Sequence, residues 1–266
     1  MRPEVHGFAV YPAMLVLAVV IGVTATLLAV RRAGLTIPRF AAVQAVLVFG
    51  ALIGAKLYSL LERGGVPESF GAAGGGGFRY PGGIVGLLAV VPLARWLLRR
   101  EGRFLGLLDL IAPGICFAMA TVRVGCLLAG CCFGVASHLP WAIRYPAETR
   151  AWAEHVRLGL ISVDELWSLP VHPLPVYFGL VSLLVGVEFW RLEKQKRFEG
   201  EVFFTFLVFH ELGKGLLEFV RAPELGQTFG HLKIASFALA GCGLLALWRA
   251  RRLQSARNAS VGVVEV

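Results

Sequence analysis

Apolar residues gather into seven runs along the chain, at about 8–30, 40–61, 82–98, 105–130, 174–190, 202–220 and 234–248, separated by short basic connections. Each has about the 17–25 residues that a helix needs to cross a hydrocarbon core of roughly 30 Å. The pattern predicts an all-α polytopic membrane bundle of seven transmembrane helices. The first run is too long for a signal peptide and lacks a small-residue cleavage site, so it reads as a retained helix. One long polar interval, 134–173, carries Trp141, Tyr145, Trp152 and Trp167 among scattered charges, the composition of a surface at a lipid–water boundary. The expected organisation is one transmembrane domain over 1–253, with 134–173 as an extracytoplasmic cap and 254–266 as a disordered cytoplasmic tail.

Composition sharpens this picture. Hydrophobic residues make up 57% of the 266 and charged residues only 16%, and the mean hydropathy is +0.71, outside the range of soluble domains. The net charge of +9 does not read as a nucleic-acid surface, because the basic residues are spread through loops with no aromatic-interleaved basic face. They alternate instead. The connections at 31–39, 95–103 and 191–197 and the tail from 249 hold fifteen Lys and Arg, against eight on the other side. By the positive-inside rule the amino terminus faces outward and the carboxyl terminus the cytoplasm.

The exceptions to the apolar pattern are the candidate chemistry. Arg123 lies inside the fourth run, in RVGCLLAGCCFG. A guanidinium near the bilayer centre costs about 2.5–3.5 kcal/mol, so it either faces a cavity or a functional anion or snorkels to the headgroups. At helical spacing Arg123, Cys126, Gly130, Cys131 and Gly134 share one side. In the sixth run His210, Lys214, Glu218 and Arg221 recur at helical steps and predict a polar stripe, with Lys214 and Glu218 as a pair. Arg221 ends that run as Arg123 nears the end of the fourth. Two guanidinium groups at one depth suggest a site for a phosphate or carboxylate.

Other features have simpler readings. Asp109 is expected as a charge at a helix start and Pro113 as a kink. Gly50 and Gly54 form a small-xxx-small pair for close helix packing, and Lys56 is a snorkelling or paired cation or a holder of an anionic headgroup. The glycine-rich stretch Gly71–Gly83 predicts a flexible hairpin whose Tyr80-Pro81-Gly82-Gly83 turn offers backbone amides to a phosphate. It lacks the Gly-Lys-Ser/Thr of a phosphate loop. HPLPVY, from His172 to Tyr177, reads as an extended turn into the fifth run. The C-x4-C-C spacing of Cys126, Cys131 and Cys132 is no standard zinc pattern; it reads as small-residue packing, with a redox pair as the alternative. No metal and no cofactor is expected.

Taken in order, YPGGIVG, RVGCLLAGCCFG, HPLPVY and LEFVRAP resemble four motifs of the bacterial prolipoprotein diacylglyceryl transferases. These are an aromatic-Gly-Gly turn, an Arg-containing Gly/Asn signature, His-Pro-x-Gln-Leu-Tyr and Glu-Phe-x-Arg. The resemblance implies transfer of a diacylglyceryl group from phosphatidylglycerol to the lipobox cysteine of a prolipoprotein signal peptide, with release of glycerol phosphate, by a multi-pass enzyme of the bacterial inner membrane among membrane lipids. It implies that Arg123 and Arg221 stabilise the phosphate. Gly125, Gly130 and Gly134 match the signature's spacing, and His172 and Tyr177 match the loop motif. Pro81 stands where the family has His or Tyr before Gly-Gly, Cys126 and Ala129 where it has Asn, Cys131 where it has Glu, and Pro175 where it has Gln. Proton transfer therefore passes to Tyr80, His172 or His210, and substrate contact to Lys56, Tyr58, Gly82, Gly83, Gly125, Cys126, Gly130, Gly134, Tyr177 and Glu218. The alternative is a relative that binds or transports an anionic phospholipid, or another anion, without the thiol chemistry.

Overall fold

The computed structural model describes residues 4–5, 8–35, 37–62, 80–99, 104–222 and 230–262. A hairpin of two-residue strands, β1 (Glu4–Val5) and β2 (Phe8–Ala9), precedes α1 (Val10–Arg32), α2 (Ile37–Glu62), α3 (Tyr80–Leu97) and α4 (Phe104–Leu128). There follow the short α5 (Arg150–Arg157), then α6 (Leu174–Leu192), α7 (Glu201–Leu217) and α8 (Gly230–Gly262). The long helices coincide with the apolar runs, because a chain in hydrocarbon can satisfy its amides only within itself. Among the described residues, five helices are long and apolar enough to cross a membrane: α1, α2, α4, α6 and α8. α3 is shorter, and α7 has 17 residues with Glu211 and Lys214 inside it. Pro113 lies within an unbroken α4, and α8 continues to Gly262, through most of the stretch expected as a tail. Most of the glycine-rich stretch, 71–79, lies outside the described residues.

Polarity is inverted relative to a soluble protein. Leu61 and Ile234 are 72% exposed, while Asp109 is 0% and Glu218 2% exposed. Such a surface suits lipid, and the buried charges must be paired.

The chain divides into two compact units, residues 26–107 and residues 1–25 with 108–266. In the first, α2 packs on α3 through glycines. A Cβ on Gly54 would lie 2.4 Å from the Gly82 carbonyl oxygen and 2.5 Å from Gly86 Cα, and one on Gly50 would lie 3.1 Å from the Gly86 oxygen. The predicted Gly50/Gly54 pair thus meets a second pair, Gly82 and Gly86, and the backbones touch.

In the other unit α7 packs against α6 and α8, and Ala112, Cys116, Phe189, Val202 and Phe206 join α4, α6 and α7 in one apolar core. Asp109 departs from its expected role. Rather than serving the start of its own helix, its carboxylate accepts hydrogen bonds from the backbone N–H groups of Gly200 (2.8 Å) and Phe203 (2.9 Å), with Lys196 Nζ at 3.4 Å. It caps α7, whose preceding Gly200 is left-handed (φ 93°) and has no side chain to do so.

The interval 134–173 folds on a core of its own. Phe133, Tyr145, Ala151, Val171 and Ala222 pack together, and single bridges pair Ala136 and Ile143 with Val171 and Pro146 with Trp167. Its helix α5 is held by Glu154 and Arg157 (2.9 Å). The Leu169 N–H donates to Nδ1 of the buried His155 at 3.2 Å.

Candidate functional site

The site begins where α4 ends. Gly130 adopts φ 61°, its N–H donates to the Leu127 oxygen, and the Cys131 N–H donates to the Cys126 oxygen at 3.1 Å. This is a Schellman motif, in which the residue after the left-handed glycine folds back over the last turn of its helix. Cys131 is that residue and Cys126 the one it meets. Its thiol donates to the Cys126 oxygen at 3.7 Å. Cys132 is also left-handed (φ 57°), a conformation that costs a non-glycine residue about 1–2 kcal/mol. The consequence is that three sulfurs, those of Cys126, Cys131 and Cys132, lie within 4.8 Å of one another. The linear spacing hid this; the signal was a Gly directly before the second Cys.

The chain then runs between two others. The Gly134 N–H donates to the His172 oxygen (3.0 Å), Val135 N–H to the Val220 oxygen (2.9 Å), and Ala222 N–H to the Phe133 oxygen (3.2 Å). A Cβ on Gly134 would meet His172 Cβ at 2.6 Å and the Val220 oxygen at 2.9 Å, so only glycine fits. This stitching sets Arg221 opposite Gly134. Its Nη2 donates to Cys132 Sγ at 3.6 Å and its Nη1 to Glu218 Oε1 at 3.0 Å. Arg123 lies over the Phe178 ring, 4.5 Å from its centroid, and its charge also reaches Cys132. Contacts with the Cys126 and Cys131 thiols hold the Cys132 thiol well below its ordinary range, the two guanidinium groups acting in the same sense. The same contacts push Cys131 up. Tyr145 lies beside the cluster: its hydroxyl is buried with no hydrogen bond among the described residues, and the three cysteines act on it electrostatically. Burial pushes that hydroxyl up.

The polar stripe of α7 pairs differently from expectation. Lys214 Nζ meets Glu211 Oε2 at 3.5 Å, and Glu218 binds Arg221. Glu211, absent from the predicted stripe, also meets His210 Nδ1 at 3.2 Å. A spacing of three sets both carboxylate–cation pairs, Glu211–Lys214 on α7 and Glu218–Arg221 just past its end, and each neutralises a charge that hydrocarbon would reject. Beside Arg123 runs an apolar groove of about 630 Å³, lined among others by Met14, Ile21, Phe117, Val176 and Leu183. Arg123 is the charged residue in its wall.

A family model, prolipoprotein diacylglyceryl transferase, matches residues 4–249. The chain belongs to that family. It is 29% identical over 220 residues to the phosphatidylglycerol–prolipoprotein diacylglyceryl transferase of Methylibium petroleiphilum, covering 77% of this chain and 76% of that one. With the protein of the same name from Chromohalobacter salexigens it shares 28% over 222 residues, 79% of this chain and 75% of the other. Against the second such transferase of Clostridium perfringens the figure is 27% over 164 residues, 61% of this chain and 57% of that one. The protein is thus a membrane transferase of this family.

The family's candidate residues divide between the two units. Arg123, Gly125, Cys126, Gly130, Gly134, His172, Tyr177, His210, Glu218 and Arg221 fall in the unit just described, whereas Lys56, Tyr58, Tyr80, Gly82 and Gly83 fall in residues 26–107. Gly125 admits α1, since a Cβ there would lie 2.8 Å from Met14 Cβ. His172 Nδ1 lies 3.3 Å from Tyr177 Oη, which accepts a hydrogen bond from Trp141 Nε1 at 2.7 Å. His210 is buried two turns before the end of α7, its ring 5.2 Å from that of Phe206. Lys56 and the exposed Tyr58 stand near the end of α2. Tyr80 to Gly83 form the first turn of α3, where Gly82 is taken up by packing against Gly54 and Tyr58 Cβ. The Tyr80 side chain lies outside the described residues.

Proposed function

We propose that the protein moves the diacylglyceryl group of phosphatidylglycerol to the lipobox cysteine of a prolipoprotein, forming a thioether and releasing glycerol phosphate. The observation that carries this reading is an apolar groove of about 630 Å³ with Arg123 in its wall, in the same unit as Arg221, which Glu218 fixes at 3.0 Å beside Cys132. Acyl chains fit the groove and the phosphate fits the cations. As the carbon–oxygen bond to phosphate breaks, negative charge collects on the leaving oxygen, and donors already in place stabilise it without reorganising. Glu218 fixes Arg221 through Oε1; its Oε2 is buried without a hydrogen bond among the described residues and can accept one from a headgroup hydroxyl. His172, tied through Gly134 to the strand that pairs with Arg221, is better placed than His210 to handle a proton. In the other unit, Lys56, Tyr58, Tyr80, Gly82 and Gly83 are assigned to headgroup and peptide contact.

In this reading all seven long helices cross the inner membrane of a bacterial cell, amino terminus outward. The charge alternation supports that orientation. Labelled phosphatidylglycerol and a lipobox peptide test the function: Arg123→Ala and Arg221→Ala, each inserting normally, should lower thioether formation about 10²–10³-fold. Wild-type rates in both would sink the assignment. The replacement of proton-handling groups by cysteines favours a second reading, anionic lipid binding without transfer, and the same assay would then find bound lipid and no thioether.

A further inference from the structure

The family's transfer chemistry needs a nucleophilic sulfur, and the site holds three sulfurs that the mechanism above does not use. We propose that Cys126, Cys131 and Cys132 bind one Zn²⁺ ion through three thiolates, and that its fourth position takes the thiol of the incoming prolipoprotein cysteine. The inference rests on the transferase reading for its second half only.

The geometry is that of a nearly formed site. Zinc–sulfur bonds of about 2.3 Å put tetrahedral ligands roughly 3.8 Å apart, so sulfurs within 4.8 Å close on an ion by each moving about half an ångström. The Schellman turn supplies the first two ligands. The left-handed backbone of Cys132 turns the third to the same side, although neighbouring side chains in an extended segment point apart. Backbone strain of this kind clusters at functional sites. The surroundings suit the ion as well. Three thiolates on a divalent metal leave one net negative charge, and Arg221 Nη2, 3.6 Å from Cys132 Sγ, and Arg123 answer it. The Tyr145 hydroxyl, 95% of whose residue is buried by its 5% exposure, has no hydrogen-bond partner among the described residues. Buried within electrostatic reach of the three cysteines, it is available to donate to a sulfur ligand once the ion is bound.

Three protein ligands leave zinc one open position, the arrangement of catalytic rather than structural sites. The balance of the step is simple. The substrate S–H loses its proton to water as its sulfur binds the metal. That sulfur attacks the glyceryl carbon that bears the phosphate, the carbon–oxygen bond breaks with its electron pair going to the phosphate oxygen held by Arg221, and the neutral thioether leaves the metal. Such a site replaces the general base that Pro81, Cys126 and Cys131 have displaced from the family's motifs.

The test uses the full chain in detergent, stripped by a chelator and titrated with Co²⁺ under anaerobic reducing conditions. A near-ultraviolet thiolate-to-cobalt band should appear at one ion per chain. It should be lost in Cys131→Ser and Cys132→Ser and kept in the Cys116→Ser/Cys242→Ser double variant; melting of each metal-free variant separates lost ligation from lost folding, and Cys132→Ala serves where Cys131→Ser does not fold. A lipobox peptide should shift the visible cobalt bands, and the same peptide with Ser for Cys should not. Absence of the band, its survival in both single variants, a preference for Cu⁺ that excludes Co²⁺ and Zn²⁺, or bands indifferent to the cysteine peptide would each overturn the proposal. Those results leave the transferase reading standing if thioether still forms, and wild-type rates in the two arginine variants would remove that reading whatever the cobalt spectra show.

Discussion

Residues 26–107 and the α4–α7 region solve opposite problems. Between α2 and α3 the backbones touch, because Gly50, Gly54, Gly82 and Gly86 carry no side chain to hold them apart. Around α4 and α7 the helices bury Asp109, Glu211 and Lys214, the segment just past α7 adds Glu218 and Arg221, and every one has a named partner. Lipid offers helices no hydrophobic reason to associate. One region therefore relies on closeness and the other on polar pairs that have no better place to go.

Substitutions separate these modes. The largest effect belongs to Gly54→Val, whose added carbons would overlap the Gly82 carbonyl and Gly86 Cα; loss of monodisperse protein in detergent is expected, beyond the 1–3 kcal/mol of ordinary overpacking. Gly83→Ala is its control, since its Cβ would sit 3.6 Å from Ala51 O and Ala55 Cβ in ordinary contact, and its melting temperature should match wild type. Next comes Gly134→Ala, which should leave the helices intact but displace the Arg221 strand, lowering thioether formation about 10²-fold, the effect of a 1 Å misplacement. An unaltered rate would detach the bridge from function. Asp109→Ala, which strands the Gly200 and Phe203 amides, should cost about 2–4 kcal/mol in denaturant midpoint shifts, and Asp109→Asn less.

The smallest effect is one of pH on the segment 135–173. Burial holds His155 below its ordinary 6.5, and the Arg157 hydrogen bond holds Glu154 below 4.5. The unfolded chain then binds more protons than the folded one, so stability is full above those values and is lost as pH falls, first through the histidine window and then the carboxylate one. Protection factors in residues 135–173, exchange rates divided into the intrinsic rate at each pH, should fall between pH 7.5 and about 5.5 and stay level in His155→Asn.

Much of this was legible in the residues. Apolar runs placed the long helices, Gly50 and Gly54 announced a close contact, and Arg123 and Arg221 stood out because charge is expensive in lipid. What stayed hidden depended on pairing in space. Asp109 could not be matched to the Gly200 and Phe203 amides 91 and 94 residues away. Counting intervals between cysteines misses the turn at Gly130, and the α7 stripe, with steps of four, four and three, leaves out Glu211, so Lys214 is matched to Glu218 where the structure pairs Lys214 with Glu211 and Glu218 with Arg221. Tyr145 groups in the sequence with the boundary aromatics Trp141, Trp152 and Trp167, and nothing in that grouping shows that it is buried.

The link from Asp109 to α7 also has a schedule. Ribosomes add about 5–20 residues per second, so the carboxylate leaves the ribosome several seconds before the 91 residues that bring its partner Gly200. In the proposed topology its place in the second turn of α4 keeps it within reach of interfacial water during that wait. Moved deeper by two turns, the same side chain would face the lipid alone, and the nascent helix would have to insert against it.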